Sequence, residues 1–127
     1  MEILKVPYET GVIRIDFGMD FDDDRKGVTG AVELDIENQA YFVDMINTLF
    51  DENPEPLSLL VDLRNVTYID SSGLWALFEG HKKASQKNGK MVLVNPTKDV
   101  KRVLDITKMS SKLQIFNDLD LALSSIR

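Results

Sequence analysis

The segment that most constrains this chain's fold is Leu57-Ser58-Leu59-Leu60-Val61-Asp62-Leu63. It scarcely alternates between apolar and polar residues. A strand with one wet face alternates with a period of two, whereas a strand covered on both faces has no such need. The run therefore predicts a buried strand in a sheet whose central strands are parallel, and parallel neighbours require crossover connections. The residues downstream supply them. Leu74, Leu77, His81 and Ala84 recur at helical spacing from Gly73 to about Asn88, and Asn88-Gly89 suits a left-handed helix end. Met91 to Val94 reads as a short strand closed by Asn95-Pro96. Thr97 can cap a helix carrying Val100, Val103 and Leu104. Leu113 to Phe116 reads as a last strand, and Asn117 or Asp118 can cap a terminal helix with Leu119, Ala122, Leu123 and Ile126. Strand, helix, strand, helix, strand, helix is an α/β order.

Upstream, Ile3 to Val6 and Val12 to Phe17 read as strands joined by a turn at Glu9-Thr10-Gly11, and Val28 to Leu34 as another strand. Gly18 to Gly27 is acidic and bounded by glycines, which predicts an exposed loop. Asp35 to Asn38 offers caps for a helix bearing Phe42, Val43, Ile46, Leu49 and Phe50, and Asn53-Pro54-Glu55-Pro56 breaks it. No linker or repeat divides the 127 residues. The expectation is one domain over 1–127, with N-terminal strands and the acidic loop 18–27 in residues 1–34 and an α/β core in 35–127.

Composition excludes several functions. There is no cysteine, so disulfides, thiolate catalysis and cysteine zinc sites are ruled out. The formal charge of −6 argues against direct nucleic-acid binding, which needs a basic surface, and favours a partner with basic groups. No stretch approaches a membrane span, and the start of the chain has no signal-peptide pattern, so a cytoplasmic location is expected. Asp20, Asp22, Asp23 and Asp24 imitate the opening of a calcium loop. The loop glycine would fall at Arg25 and the closing glutamate at Ala31, so the template fails and no metal is expected. Glycine-rich phosphate loops and glycine-flanked nucleophile serines are absent, and no cofactor is expected.

One run stands out, Tyr68-Ile69-Asp70-Ser71-Ser72-Gly73-Leu74. It puts two hydroxyls between the buried strand and a helix N-terminus, where unpaired backbone N–H groups and the helix dipole suit an added negative group. By residue type and spacing alone the run reads first as an N-cap.

In this setting the run resembles the STAS domain, and specifically the bacterial anti-sigma factor antagonists. The matching segments are Leu59-Leu60-Val61-Asp62-Leu63, the run at Asp70, Asn88-Gly89-Lys90-Met91-Val92-Leu93-Val94, Val100 to Thr107, and Ile115-Phe116 with Leu121-Ala122-Leu123. Gly30-Ala31-Val32-Glu33-Leu34-Asp35 is the nearest equivalent of a further family segment. The resemblance implies a STAS-like α/β domain with a mixed central sheet and helices packed mainly on one face. It implies that Ser71 is phosphorylated by a partner that is both serine protein kinase and anti-sigma factor. The unphosphorylated form would bind that partner and free the sigma factor; phosphorylation would block binding, and a serine phosphatase acting on phospho-Ser71 would restore it. The chain would then be a binder rather than an enzyme. Weak homodimerisation is compatible with this picture.

The same resemblance assigns partner contact to Asp70, Ser71, Ser72, Gly73, Leu74, Trp75 and Lys82, with Gly73 allowing close approach to the backbone. Trp75 falls off the core stripe of its helix, and packing against a loop is its competing role. The exposed face of Glu79, Lys82, Lys83 and Lys87 reads first as solvated. His81 lies on the apolar stripe and reads as a buried, hydrogen-bonded ring. It stands roughly 15 Å from Ser71 at 1.5 Å per residue, too far to be its base. A hydrolase using Ser71 lacks a base and an oxyanion arrangement. The other reading that keeps the fold is a non-catalytic STAS subunit of a lipid-transport or stress-sensing complex.

Overall fold

Two strands open the chain in the computed structural model, which describes residues 1–127. β1 (Glu2–Glu9) and β2 (Val12–Gly18) pair antiparallel around a turn in which Gly11 takes φ 79°, a left-handed conformation that glycine adopts without strain. β3 (Asp20–Asp22) and β4 (Gly27–Thr29) follow as a small ribbon. The acidic segment expected as a loop is therefore a short hairpin whose turn, residues 23–26, is exposed. The strand expected from Val28 to Leu34 is two strands. Gly30 at φ 95° breaks it, and β5 (Val32–Leu34) joins a different sheet from β4.

Helix α1 (Gln39–Glu52) buries Phe42, Met45, Ile46, Leu49 and Phe50, and the chain turns extended at Asn53 before the prolines. β6 (Ser58–Asp62) is the strand anticipated from the apolar run, and all five of its residues are buried. The run does not lead straight into the next helix. β7 (Val66–Ile69) intervenes and pairs parallel with β5 in a separate two-stranded sheet. Its residues Val66-Thr67-Tyr68-Ile69 are β-branched or aromatic, the signal that could have revealed it. α2 (Ser71–Gln86), β8 (Met91–Val94), α3 (Lys98–Ile106), β9 (Ile115–Phe116) and α4 (Leu119–Ile126) complete the fold. Asn88 takes φ 61° after α2, Thr97 Oγ1 accepts from Val100 N at 3.3 Å to cap α3, and Asp118 accepts from Leu121 N at 3.1 Å to cap α4.

The main sheet runs β1-β2-β6-β8-β9, parallel except for β1. It is a mixed sheet in a single α/β domain, as anticipated. β6 shows why its sequence does not alternate. Leu59 and Val61 face the larger core, which also holds the buried residues of α1, α2 and α3. Leu60 faces the opposite side with Val12, Val92 and Val94, covered by Ala122 of α4. Three helices thus cover one face and one covers the other. No helix is long and apolar enough to cross a membrane.

Candidate functional site

The site is built where β5, β7 and α2 meet. β7 ends at Ile69, and Asp70 adopts an extended backbone (φ −103°, ψ −174°), turning the chain into α2. Asp70 then uses all its polar atoms inward. Its Oδ1 accepts from Gly73 N at 3.0 Å and its Oδ2 accepts from Ile36 N at 3.2 Å. Its own N–H donates to Leu34 O at 3.3 Å, and its carbonyl accepts from Leu74 N at 3.0 Å. One carboxylate therefore caps the helix and ties the loop after β5 to it. That loop is itself braced by Asn38, whose side chain accepts from Asp35 N at 2.9 Å and donates to Glu33 O.

Ser71 is the first residue of α2 and is exposed; Ser72 is half-buried. With the Gly73 and Leu74 amides engaged by Asp70, the N–H groups of Ser71 and Ser72 are left outside the intrahelical ladder. Gly73 and Leu74, expected at the partner surface, are buried. A Cβ on Gly73 would run into the Leu34 carbonyl oxygen, so the missing side chain lets α2 seat against this protein's own β5. Leu74 joins the core. Their place is beneath the site rather than on it.

Trp75 is 51% exposed. It lies four residues after Ser71 and so on the same helix face, followed there by Phe78 and Lys82. Lys82 pairs with Glu79 at 3.4 Å, and its Nζ stands 6.0 Å from the Phe78 ring centroid. Lys112, from the far end of the chain, places its Nζ 5.4 Å from the same ring. Phe78 was legible as the next step of the Ser71–Trp75 stripe. Lys112 and Ile36 arrive by tertiary folding and left no local signal. Ile36 is 71% exposed, with its amide bonded to Asp70, and Tyr68 is 53% exposed on β7, so exposed apolar side chains lie on the elements that meet at the site.

His81 does not fit its expected description. Its ring is half-buried and packs on Phe78 at 6.1 Å between centroids, but its buried Nδ1 has no hydrogen-bond partner. No group of three acidic or histidine side chains is arranged to hold a metal. In the acidic hairpin, Asp22 Oδ1 instead accepts from Asp24 N at 3.1 Å and Arg25 N at 3.2 Å, closing its own turn.

Comparison with known proteins gives this geometry a family. A model of the STAS domain matches residues 28–122. The chain belongs to the STAS domain family. Two relatives from Thermotoga carry the name putative anti-sigma factor antagonist. A Thermotoga neapolitana protein so named is 33% identical over 97 residues, covering 75% of this STAS domain and 83% of the relative. Among solved structures, a Thermotoga maritima protein named in the same way superposes with a TM-score of 0.77 at 22% identity, covering 98% of this chain and 94% of that one. The Bacillus protein SpoIIAA, an anti-sigma factor antagonist, is similar in its unphosphorylated form with a TM-score of 0.73 at 14% identity over 98% of this chain and 95% of that one. Its phosphorylated form is similar with a TM-score of 0.66 at 13% identity over 99% of this chain and 100% of that one.

Proposed function

We propose that this STAS domain is an anti-sigma factor antagonist switched by phosphorylation of Ser71. The observation that carries the reading is that Ser71 is exposed at the start of α2 while Asp70 is fully occupied holding that helix end in place. A kinase can reach the hydroxyl without disturbing the fold. The phosphate it leaves would meet the free amides of Ser71 and Ser72 and the positive end of the helix dipole. The domain therefore tolerates the modification, and its cost falls on the complex. A phosphate adds roughly −1.5 to −2 charge beside Asp70. A partner surface that accepts a neutral hydroxyl would face a hydrated dianion instead. Losing on the order of 3 kcal/mol weakens binding more than a hundredfold.

In this reading the partner is an anti-sigma factor that is also a serine protein kinase, acting in the cytoplasm. A serine phosphatase resets Ser71, and the chemistry belongs to those two proteins. The existence of SpoIIAA in unphosphorylated and phosphorylated forms supports it. With the cognate kinase and ATP, wild type gains one phosphate by mass spectrometry and Ser71→Ala gains none while melting at the wild-type temperature. Ser71→Asp loses binding to the kinase in a pull-down. Normal phosphorylation of Ser71→Ala, or full kinase binding by Ser71→Asp, sinks the proposal.

A further inference from the structure

Asn38 stands at the N-cap position of α1, where its carbonyl accepts from Phe42 N at 3.2 Å. An asparagine there ordinarily turns its side chain onto the second or third amide of the helix, here Ala40 or Tyr41. This one caps neither. Its Oδ1 accepts from Asp35 N at 2.9 Å and its Nδ2 donates to Glu33 O, so both bonds go back into the loop that leaves β5. The first turn of α1 carries no acidic residue to make good the missing cap. α1 thus forgoes the usual stabilisation of its own start, and the loop receives it.

The loop so held is the one on which the start of α2 rests. Leu34, between the two bonded residues, accepts from Asp70 N at 3.3 Å, and its carbonyl oxygen fills the space beside Gly73. Ile36, next after Asp35, donates its N–H to Asp70 Oδ2 at 3.2 Å. Asp35 Oδ1 accepts from Glu37 N at 3.0 Å and closes the turn between them. A continuous path of backbone and hydrogen bonds therefore leads from the Asn38 side chain through the segment Glu33 to Ile36 to Asp70. Ser71 is the next residue, and the first of α2 takes its place from that path.

We infer that Asn38 is a positioning residue for phosphoryl transfer to Ser71. The inference rests on the phosphoswitch reading and adds to it a residue on another helix. In the transfer the Ser71 oxygen bonds to the γ-phosphorus of ATP as the bond to ADP breaks, and the hydroxyl proton passes to the kinase. Such a reaction depends almost entirely on position and charge, and a reacting group displaced by about 1 Å can lose about a hundredfold in rate. Asn38 makes no hydrogen bond to Ser71. It acts by fixing the backbone that Asp70 grips, so the hydroxyl is presented in one place before the kinase arrives.

The test uses the full chain as the varied substrate of the purified serine kinase that phosphorylates Ser71, with ATP in excess. Asn38→Thr is the informative variant. Threonine is a good N-cap, so α1 gains the cap it lacks, while one short hydroxyl cannot make both loop bonds. This variant is expected to melt at or above the wild-type temperature. Its kcat is expected to fall at least about fivefold, with KM within about twofold of wild type. Asp118→Ala removes the cap of α4 on the other side of the sheet, and is expected to melt lower than wild type and keep its kcat. Amide hydrogen exchange gives a readout that needs no kinase. Ile36 is expected to lose protection in Asn38→Thr while Phe42 in α1 keeps it. A wild-type kcat for Asn38→Thr, or unchanged protection of Ile36, overturns the inference. So does a loss confined to KM, which would mean that Asn38 meets the kinase directly, and so does an equal fall of kcat in Asp118→Ala, which would mean that the rate follows overall stability. Each of these results leaves Ser71 as the acceptor. A wild-type chain that gains no phosphate from any serine kinase removes the switch, and with it the reaction that Asn38 serves.

Discussion

Asp70 shows how much a single carboxylate does in this fold. By sequence it is either a cap or a contact for a partner. In the structure its two oxygens hold two different pieces of backbone, the Gly73 amide in α2 and the Ile36 amide more than thirty residues earlier. Asp70→Ala should therefore cost more than a simple cap, about 1–2 kcal/mol by denaturant midpoint. The distinguishing readout is hydrogen exchange. The Ile36 amide should lose protection along with that of Gly73, whereas loss of a cap alone would spare Ile36. Asn in place of Asp70 can still accept one of these bonds and should fall between the two. The neighbouring glycine teaches the opposite lesson about legibility. An Asp-Ser-Ser-Gly run says that Gly73 is needed, but only the packing of α2 on β5 says why. The oxygen it makes room for is Leu34's, so the space a side chain would need is filled by this protein's own β5.

At the scale of elements, the parallel core was readable because its strands are short continuous apolar runs separated by well-capped helices. β6, β8, α3 and α4 fall where their sequence signals put them. What was not readable is that β5 pairs with β7. Each spans three or four residues, and their pairing joins Val32 to Val66, a non-local contact that no window of sequence contains. The hairpin of β3 and β4 was hidden for another reason. Its strands are three residues each, β3 carries two aspartates and β4 opens on a glycine, residues with low strand preference, so tertiary anchoring rather than propensity forms them. Asn65 supplies part of that anchor by donating to Phe17 O at 2.9 Å and Val28 O at 3.5 Å. The last helix, by contrast, has one task that can be tested directly. It supplies Leu119, Ala122, Leu123 and Ile126 against Leu60, Val92 and Val94 on its side of the sheet, where β9 adds only Phe116. A chain ending after Asn117 would expose those side chains. It should lose several kcal/mol of stability, about 2–5 kcal/mol for the uncovering of Leu60-sized groups. It should also bind a hydrophobic dye that wild type ignores. An unchanged melting temperature would show that the sheet face is covered in some other way.

At the scale of the whole molecule, the sheet face that α4 covers is apolar only in part. Beyond the Val12, Leu60, Val92 and Val94 patch, the same side of β2 and β6 carries Asp16 and Asp62, which are register partners and only 2% and 3% exposed. Arg14 satisfies Asp16 through a bond from Nε to Oδ1 at 3.0 Å and one from Nη2 to Oδ2 at 2.9 Å. Arg64 spans the two carboxylates more loosely, at 3.8 Å from Asp16 and 3.6 Å from Asp62. For Asp62 this is not enough. Burial raises its pKa above the ordinary carboxylate value, and the proximity of Asp16 adds to the rise. The hydrogen bond from the Arg64 amide and the Arg64 charge only partly oppose it. A carboxyl raised in the folded state holds its proton more tightly there than in the unfolded chain. Its contribution to stability is therefore full below the unfolded value near 3.8 and is lost as pH rises through the folded value. At neutral pH the charged Asp62 works against the fold, and Asp62→Asn should relieve it while its side-chain oxygen still accepts from Arg64 N, a 3.0 Å bond in the wild type. The variant should unfold at higher urea than wild type at about pH 7, with the difference shrinking toward about pH 4 as the wild-type carboxyl takes up its proton. Lower stability for the variant at both pH values would mean that the pairing of Asp62 with Arg64 outweighs the cost of burying the charge.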